Sequence, residues 1–238
     1  MNQKNIISKL TLEEKIAMIH AAGLFRSGAV KRLNIPSLVM SDGPSGVRQE
    51  FENDSWTPID DTTDFVSWLP SNTCLCTTWN PNLARKFGEV LGDEARGRGK
   101  DVILAPGINI KRTPLCGRNF EYFSEDPYVT GCFASAVLEG LHAAGVTGAA
   151  KHFCANNQEM RRHFADPVVS ERALREIYLK GFEIAVKDAQ PMSIMTSYNL
   201  INGVHSANSY DLCTVSARKE WGYEGMIMTD WMTTTDGG

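Results

Sequence analysis

Apolar residues fall into short continuous runs and longer helical repeats that alternate along the chain. The short runs, such as residues 101–110 and 225–231, are typical of buried strands and end in polar or glycine-containing stretches. Between such runs, apolar residues recur at helical spacing, as in residues 81–95. This alternation predicts βα units around a parallel sheet, and hence an α/β fold. Roughly five or six such units fit either an incomplete (β/α) barrel or a doubly wound sheet.

Three predicted helices begin at recognisable capping sequences. The residues T-L-E-E at 11–14 form a capping box, which predicts a helix over residues 12–22. The pairs N-P at 80–81 and D-P at 126–127 each place a capping side chain before proline, which is favoured at the first helical position. We therefore expect helices to begin at these two prolines.

Composition narrows the class of protein. The 238 residues are 42% apolar and 22% charged, and the net charge is −4, which is typical of a globular protein without a nucleic-acid surface. No apolar run approaches the roughly 20 residues that a membrane span needs, and the N-terminus is too polar for a signal peptide. We expect a cytoplasmic protein that binds neither nucleic acid nor membrane. Its six cysteines contain no C-x-x-C pair and are expected to be free thiols.

Polar side chains stand at the ends of the predicted strands. In a parallel barrel these ends open on one face, where catalytic groups gather. Stability alone does not require charged groups at the end of each apolar run, whereas a binding or catalytic rim does. The residues in question are Asp42, Lys151, His152, Tyr198, Asp230 and Trp231.

The segment K-H-F-C-A-N-N-Q-E at 151–159 allows several interpretations. Lys151 is a candidate Schiff-base amine, as barrel lysines can be. A metal site at His152 and His163 is poorly supported, because their spacing of eleven residues is not the i, i+4 pattern of paired helical ligands. Cys154 has the simpler role of a small packing residue. The chain has neither a G-x-G-x-x-G nor a G-x-x-x-x-G-K-[ST] motif, so no cofactor is expected.

Six segments together resemble glycoside hydrolase family three, the β-glucosidase family. They occur in the order found in that family, span nearly the whole chain, and include one long central segment that is far beyond a chance motif. The segments are MSDGPSGVR (40–48), TWNPNLA (78–84), APGINIKRTPLCGRNFEYFSEDPYVTG (105–131), KHFCANNQE (151–159), MTSYNLINGVHS (195–206) and GMIMTDW (225–231).

The resemblance implies a (β/α) barrel of the TIM type, which we expect to be incomplete at its C-terminal end. Residues 1–238 then form a single truncated barrel domain, and the family's C-terminal α/β sandwich domain is expected to be absent. The implied activity is that of a retaining β-glycosidase, acting on the terminal non-reducing β-linked glucose of oligosaccharides or glucosides. The implied substrate partner is therefore a β-linked glucoside.

The resemblance also implies roles for individual residues. Asp230 takes the position of the nucleophile that forms a covalent glycosyl-enzyme. Cationic neighbours such as Arg118 and Lys151 are expected to lower the pKa of this carboxyl group. The implied sugar-binding residues are Asp42, Arg48, Arg118, Lys151, His152, Arg162, Tyr198 and Trp231.

A retaining mechanism also needs a second carboxyl group as acid and then base. In this family that group usually comes from a later domain, and the carboxylates nearest the motifs, including Glu121 and Glu159, match structural positions. We therefore expect the acid/base to come from a complementing domain or chain, and the isolated chain to have low or no activity. The alternative is a non-catalytic sugar-binding fragment or subunit.

Overall fold

The computed structural model describes residues 3–60 and 62–233. Its main sheet has five parallel strands, and two short antiparallel hairpins stand apart from it. The strands are β1 Ala21–Gly23, β2 Arg26–Ser27, β3 Met40–Asp42, β4 Val102–Leu104, β5 Thr147–Phe153, β6 Ser193–Thr196, β7 Leu200–Ile201, β8 Val204–His205 and β9 Met226–Met228.

The five strands of the main sheet follow one another in chain order, β3-β4-β5-β6-β9. A doubly wound sheet reverses its strand order near the middle, whereas a barrel adds each strand on the same side of the last. The order therefore supports the predicted α/β fold of the (β/α) barrel type. Within the described residues the two outer strands, β3 and β9, do not pair with each other, so the barrel is not closed there.

Helices pack side by side along the sheet. The two longest, α4 and α5, begin at the predicted prolines, where Asn80 and Asp126 cap the free amide groups. In the part of the chain that the structure describes, no helix has the length and apolar character to cross a membrane. The helices are α1 Gln3–Ile7, α2 Leu12–Met18, α3 Asn72–Cys76, α4 Pro81–Gly97, α5 Pro127–Ala143, α6 Glu171–Ala173 and α7 Lys180–Ala189, with π-helical turns at Leu174–Tyr178 and Asp211–Glu220.

Alternate residues of each strand enter two different cores. On β4, Ile103 faces the large core shared with the helices, while Val102 and Leu104 belong to a smaller cluster on the opposite face. On β6, Ile194 and Met195 divide in the same way. Because side chains alternate across a strand, this pattern places the helices on one face and the barrel interior on the other.

Three predicted elements are shorter in the structure, and one of them is the strand predicted over residues 225–231, which is limited to Met226–Met228. The capping box at residues 11–14 forms as predicted, but the helix ends at Met18 and the chain turns into the β1–β2 hairpin. This helix buries none of its side chains, so little packing favours its extension. The strand predicted over residues 101–110 ends at Leu104, and the residues after it form a buried loop at the rim.

Helices α4 and α5 approach each other closely through two glycines. A Cβ atom at Gly88 would lie 2.2 Å from the carbonyl oxygen of Val137, and one at Gly140 would lie 2.1 Å from that of Arg85. Such distances are far below van der Waals contact, so the helix pair depends on the missing side chains at these positions.

We expect Gly88→Ala to lower the free energy of unfolding by about 1–3 kcal/mol, because the methyl group forces the two helices apart. Gly97→Ala is the matched control, since Gly97 ends the same helix and has nothing within 4 Å of its Cβ position. That control should leave the stability unchanged or raise it by up to about 1 kcal/mol. Urea denaturation of both variants checks this, and equal effects would contradict the packing account.

Candidate active site

The predicted site residues meet at the carboxyl ends of the strands. Asp42 is the last residue of β3, and Lys151 and His152 lie near the end of β5. Tyr198 follows β6, and Asp230 follows β9, each by two residues. Because all five strands are parallel, these residues share one edge of the sheet.

Lys151 links two carboxylates at this edge. Its Nζ donates a hydrogen bond to Oδ1 of Asp42 at 2.8 Å and lies 3.8 Å from Oε2 of Glu121. The lysine side chain is only 3% exposed, so the two carboxylates compensate the cost of burying its ammonium group. The two ion pairs occupy the amine and give no support to the Schiff-base interpretation.

Asp42 is held in its ionised form. Desolvation acts to raise the pKa of its carboxyl group, but the Lys151 ammonium, its hydrogen bond and the charge of Arg118 outweigh this and leave the pKa below its ordinary value. The carboxylate is 44% exposed and also accepts a hydrogen bond from the amide of Gly43. Asp42 is therefore a charged acceptor that is partly exposed at the edge of the sheet.

Asp230 sits deeper than Asp42, with 8% of its surface exposed. Its Oδ1 accepts a hydrogen bond from the amide of Trp231 at 2.8 Å, and its Oδ2 lies 3.7 Å from Nε2 of His152. The hydroxyl of Tyr198 is a further hydrogen-bond partner of the carboxylate. Asp230 is thus a buried carboxylate surrounded by donors.

The pKa of Asp230 is raised in the structure, whereas the sequence predicts that it is lowered. Burial raises the pKa of this carboxyl group above its ordinary value, while Trp231, Lys151, Arg118 and Tyr198 act to lower it without overcoming burial. The expectation that Arg118 and Lys151 act to lower the pKa is correct, but the desolvation of a carboxyl group at this depth is the larger effect.

Arg118 and Arg162 are joined through carboxylates. Nε of Arg118 lies 2.5 Å from Oε1 of Glu121 and 3.9 Å from Oε1 of Glu159. Arg162 donates to Oε2 of Glu159 at 2.8 Å, and its guanidinium lies 4.5 Å from the ring centre of Tyr198. Glu121 and Glu159 therefore serve as ion-pair partners of the predicted site arginines.

Arg48 and Trp231 belong to a stack of side chains that reaches from the loop after β3 to the end of β9. The guanidinium of Arg48 lies 3.8 Å from the ring centre of Phe25 and 4.0 Å from that of Phe51. Phe25 in turn lies 4.9 Å from Trp231, whose indole N–H donates to the carbonyl of Leu24 at 2.9 Å. Arg48 thus braces an aromatic wall whose other end is Trp231, beside Asp230.

Sequence reasoning did not assign Phe25 or Tyr122 to the site. Phe25 stands between two predicted site residues, in a segment that carries no matching motif and was expected to follow a helix. Tyr122 hydrogen bonds to Nδ1 of His152 at 3.1 Å and lies within the long central segment, where the only signal was its position in the motif. The ring centre of His163 lies 4.1 Å from that of Tyr198, so His163 packs against this site residue.

The fold and the side chains at the strand ends define an α/β barrel domain with a cluster of charged residues at its rim. Residues 5–236 match the family model described as "Glycosyl hydrolase family 3 N terminal domain". The chain belongs to this family.

Individual relatives agree with this assignment. The chain is 51% identical to a β-glucosidase of Ruminococcus albus over 202 residues, 85% of this chain and 20% of the relative. It is 45% identical to an exo-α-(1→6)-L-arabinopyranosidase of Bifidobacterium longum over 98% of this chain and 31% of the relative. The solved structure of β-glucosidase 3B from Thermotoga neapolitana in complex with glucose superimposes with a TM-score of 0.89 at 43% identity, covering 96% of this chain and 33% of that one.

The chain therefore spans between a fifth and a third of the length of these relatives.

The opposite pKa shifts of Asp42 and Asp230 predict opposite effects of neutral substitutions on stability. We expect Asp230→Asn to raise the free energy of unfolding at pH 7, because the folded protein no longer buries that charge. This gain should shrink as the pH falls through the raised pKa and vanish below the ordinary Asp value of 3.8.

Asp42→Asn is the matched control and should destabilise at pH 7, since its carboxylate is favoured in the folded state. That loss should be full above the ordinary Asp value of 3.8 and shrink as the pH falls from there through the lowered pKa of Asp42. Urea denaturation across a pH series measures both curves. Curves of the same sign would contradict the two environments described above.

Proposed function

We propose that the pocket at the strand ends is the glucoside-binding part of a retaining β-glycosidase site, with Asp230 as its nucleophile. The observation that carries the proposal is the placement of Asp230, a buried carboxylate at the strand edge of a family 3 domain, 3.7 Å from His152. In such a mechanism a carboxylate attacks the anomeric carbon and forms a covalent glycosyl-enzyme. The proposed substrate is a terminal, non-reducing β-linked glucose.

The environment of Asp230 suits that step. A carboxylate removed from water is a stronger nucleophile and stabilises the positive charge that develops on the sugar ring. Hydrogen bonds from Tyr198 and the Trp231 amide orient it without neutralising it. The raised pKa of Asp230 implies that covalent attack is lost as the pH falls through it, since the protonated acid does not attack.

We assign the binding of sugar hydroxyls to the ionised and donor groups around Asp230. Asp42 offers a charged acceptor, and Lys151 holds it in place. Trp231, braced by Phe25, offers a flat apolar surface of the kind that packs against a sugar ring. The remaining proposed contacts with substrate come from Arg118, His152, Arg162 and Tyr198, with Arg48 acting on the aromatic wall.

For the acid/base, we propose a group from outside this pocket, in a complementing domain or chain. Glu121 and Glu159 are engaged in ion pairs with Arg118, Lys151 and Arg162, so their carboxylate oxygens face these cations and not a leaving group. The same ion pairs favour the second candidate function, a sugar-binding unit that is not catalytic by itself. We expect little turnover of simple aryl β-glucosides by this chain alone.

A 2-deoxy-2-fluoro-β-D-glucoside with a dinitrophenyl leaving group separates the candidates. This leaving group departs without protonation, and fluorine slows hydrolysis of the intermediate, so a nucleophile is trapped even where the acid/base is missing. We expect mass spectrometry to find the fluoroglucosyl group on the peptide that contains Asp230.

Asp230→Asn is the control and should remain unlabelled, while Asp93→Asn, on the exposed face of α4, should label like the unchanged protein. Label on another carboxylate would overturn the assignment of Asp230. Glucose binding with no label would favour the non-catalytic alternative.

A further inference from the structure

His152 is neutral, and only one of its two ring nitrogens carries a hydrogen. Burial depresses the pKa of its imidazole well below the ordinary value, and the charges of Arg118, Lys151 and Arg162 act in the same direction. The residue is 1% exposed. Its Nδ1 faces the hydroxyl of Tyr122, whereas Nε2 faces Asp230, so the position of the single hydrogen decides which neighbour receives a donor.

The side of the ring that faces Tyr122 is governed by a chain of hydrogen bonds with a definite direction. The amide nitrogen of Asn156 donates to Oε1 of Glu159 at 3.1 Å and reaches the Tyr122 hydroxyl oxygen at 3.4 Å. A carboxylate only accepts, so the opposite amide orientation would place two oxygens against each other. Tyr122 thus accepts from Asn156, and its own hydrogen is directed to Nδ1 of His152, 3.1 Å away.

Glu159 is itself held in place from the other side. Arg162 donates to its Oε2 at 2.8 Å, and Arg118 lies 3.9 Å from its Oε1. Tyr122 and Asn156 are both buried, with 0% and 2% exposure, so water does not compete for these hydrogen bonds. The direction of every hydrogen bond is therefore fixed from the Glu159 carboxylate through Asn156 and Tyr122 to the imidazole of His152.

The contact between His152 and Asp230 independently indicates the same tautomer, with the hydrogen on Nε2. Oδ2 of Asp230 is an acceptor 3.7 Å from Nε2. An Nε2–H group points a donor at this carboxylate, whereas the other tautomer would point a lone pair at it. That other tautomer would also leave the hydrogen of the buried Tyr122 hydroxyl without an acceptor among the described residues.

We propose that Glu159, Asn156 and Tyr122 are positioning residues that hold His152 as the Nε2–H tautomer, so that it presents a neutral donor beside Asp230. The donor adds no positive charge next to the carboxylate and can serve a sugar oxygen that enters the space between them. This last consequence rests on the proposed glycosidase function, whereas the tautomer is a property of the free protein.

The tautomer is measured on the full chain with ¹⁵N-labelled histidine by long-range ¹H–¹⁵N correlation spectra, with His152→Gln to assign the signal among the five histidines. At neutral pH we expect the Nε2–H pattern, and an Nδ1 resonance displaced from that of a free imidazole nitrogen because it accepts a hydrogen bond. Tyr122→Phe should return the Nδ1 resonance to the free position and lower the excess of the Nε2–H form by about tenfold, the effect of one lost buried hydrogen bond.

Tyr223→Phe is the control, because Tyr223 is equally buried and donates its hydroxyl hydrogen to the carbonyl of Met226, away from His152. It should leave the His152 spectrum unchanged. An Nδ1–H tautomer in the unchanged protein, or a folded Tyr122→Phe protein with an unaltered Nδ1 resonance, would overturn the proposal. If Tyr122→Phe does not fold, the Nδ1 resonance of the unchanged protein decides by itself.

Because the spectra need no substrate, the outcome is separate from that of the fluoroglucoside experiment. A labelled Asp230 with the wrong His152 tautomer would refute the positioning proposal alone. The expected tautomer with no label would leave the positioning proposal standing and count against Asp230 as the nucleophile.

Discussion

The rest of the site depends on the ion pairs that the buried ammonium group of Lys151 makes. The ammonium group lies between Asp42 at the end of β3 and Glu121 after β4, and it is carried by β5, so one side chain connects three neighbouring parts of the sheet edge. Removing one partner of such a pair leaves an uncompensated buried charge, which typically costs about 3–5 kcal/mol. The charged residues that stabilise this edge of the sheet are therefore also the residues that form the site.

Two carboxylates at this edge have pKa values shifted in opposite directions, although the same cations act to lower both. Asp42 contacts Lys151 directly and has a lowered pKa, whereas Asp230 is farther from direct ion pairing and its pKa is raised by burial. Opposed environments of this kind are how one site gives two acidic residues different roles. Under the proposed function, Asp42 holds polar groups of the substrate and Asp230 is the group that reacts.

Much of this arrangement can be predicted from the sequence, because it follows from periodicity and strand direction. The caps before α4 and α5, the parallel sheet and the gathering of Asp42, Lys151 and Asp230 all arise from local patterns combined with the rule that parallel strands end at one edge. The net pKa shift of Asp230 could not be predicted, because it depends on how far burial exceeds the effect of the cations.

Contacts between segments that are far apart in the sequence cannot be predicted from it either. The indole of Trp231 bonds to Leu24 across a separation of 207 residues, and no local pattern encodes that pairing. The link from Asn156 through Tyr122 to His152 depends on the packing of a rim loop against β5. Both sets of contacts hold predicted site residues in place. Both also involve side chains that sequence motifs alone would indicate as packing residues.

Under the proposed function, residues within this one domain bind glucose, with Asp42 as a charged contact. Isothermal titration of the chain with D-glucose tests it most directly. We predict weak binding, with a Kd on the order of millimolar, and a loss of about tenfold or more in Asp42→Ala, while Asp93→Ala on the outer face of α4 binds like the unchanged protein. Binding that is unaffected by Asp42→Ala, or no binding by the unchanged, folded chain, would contradict the account.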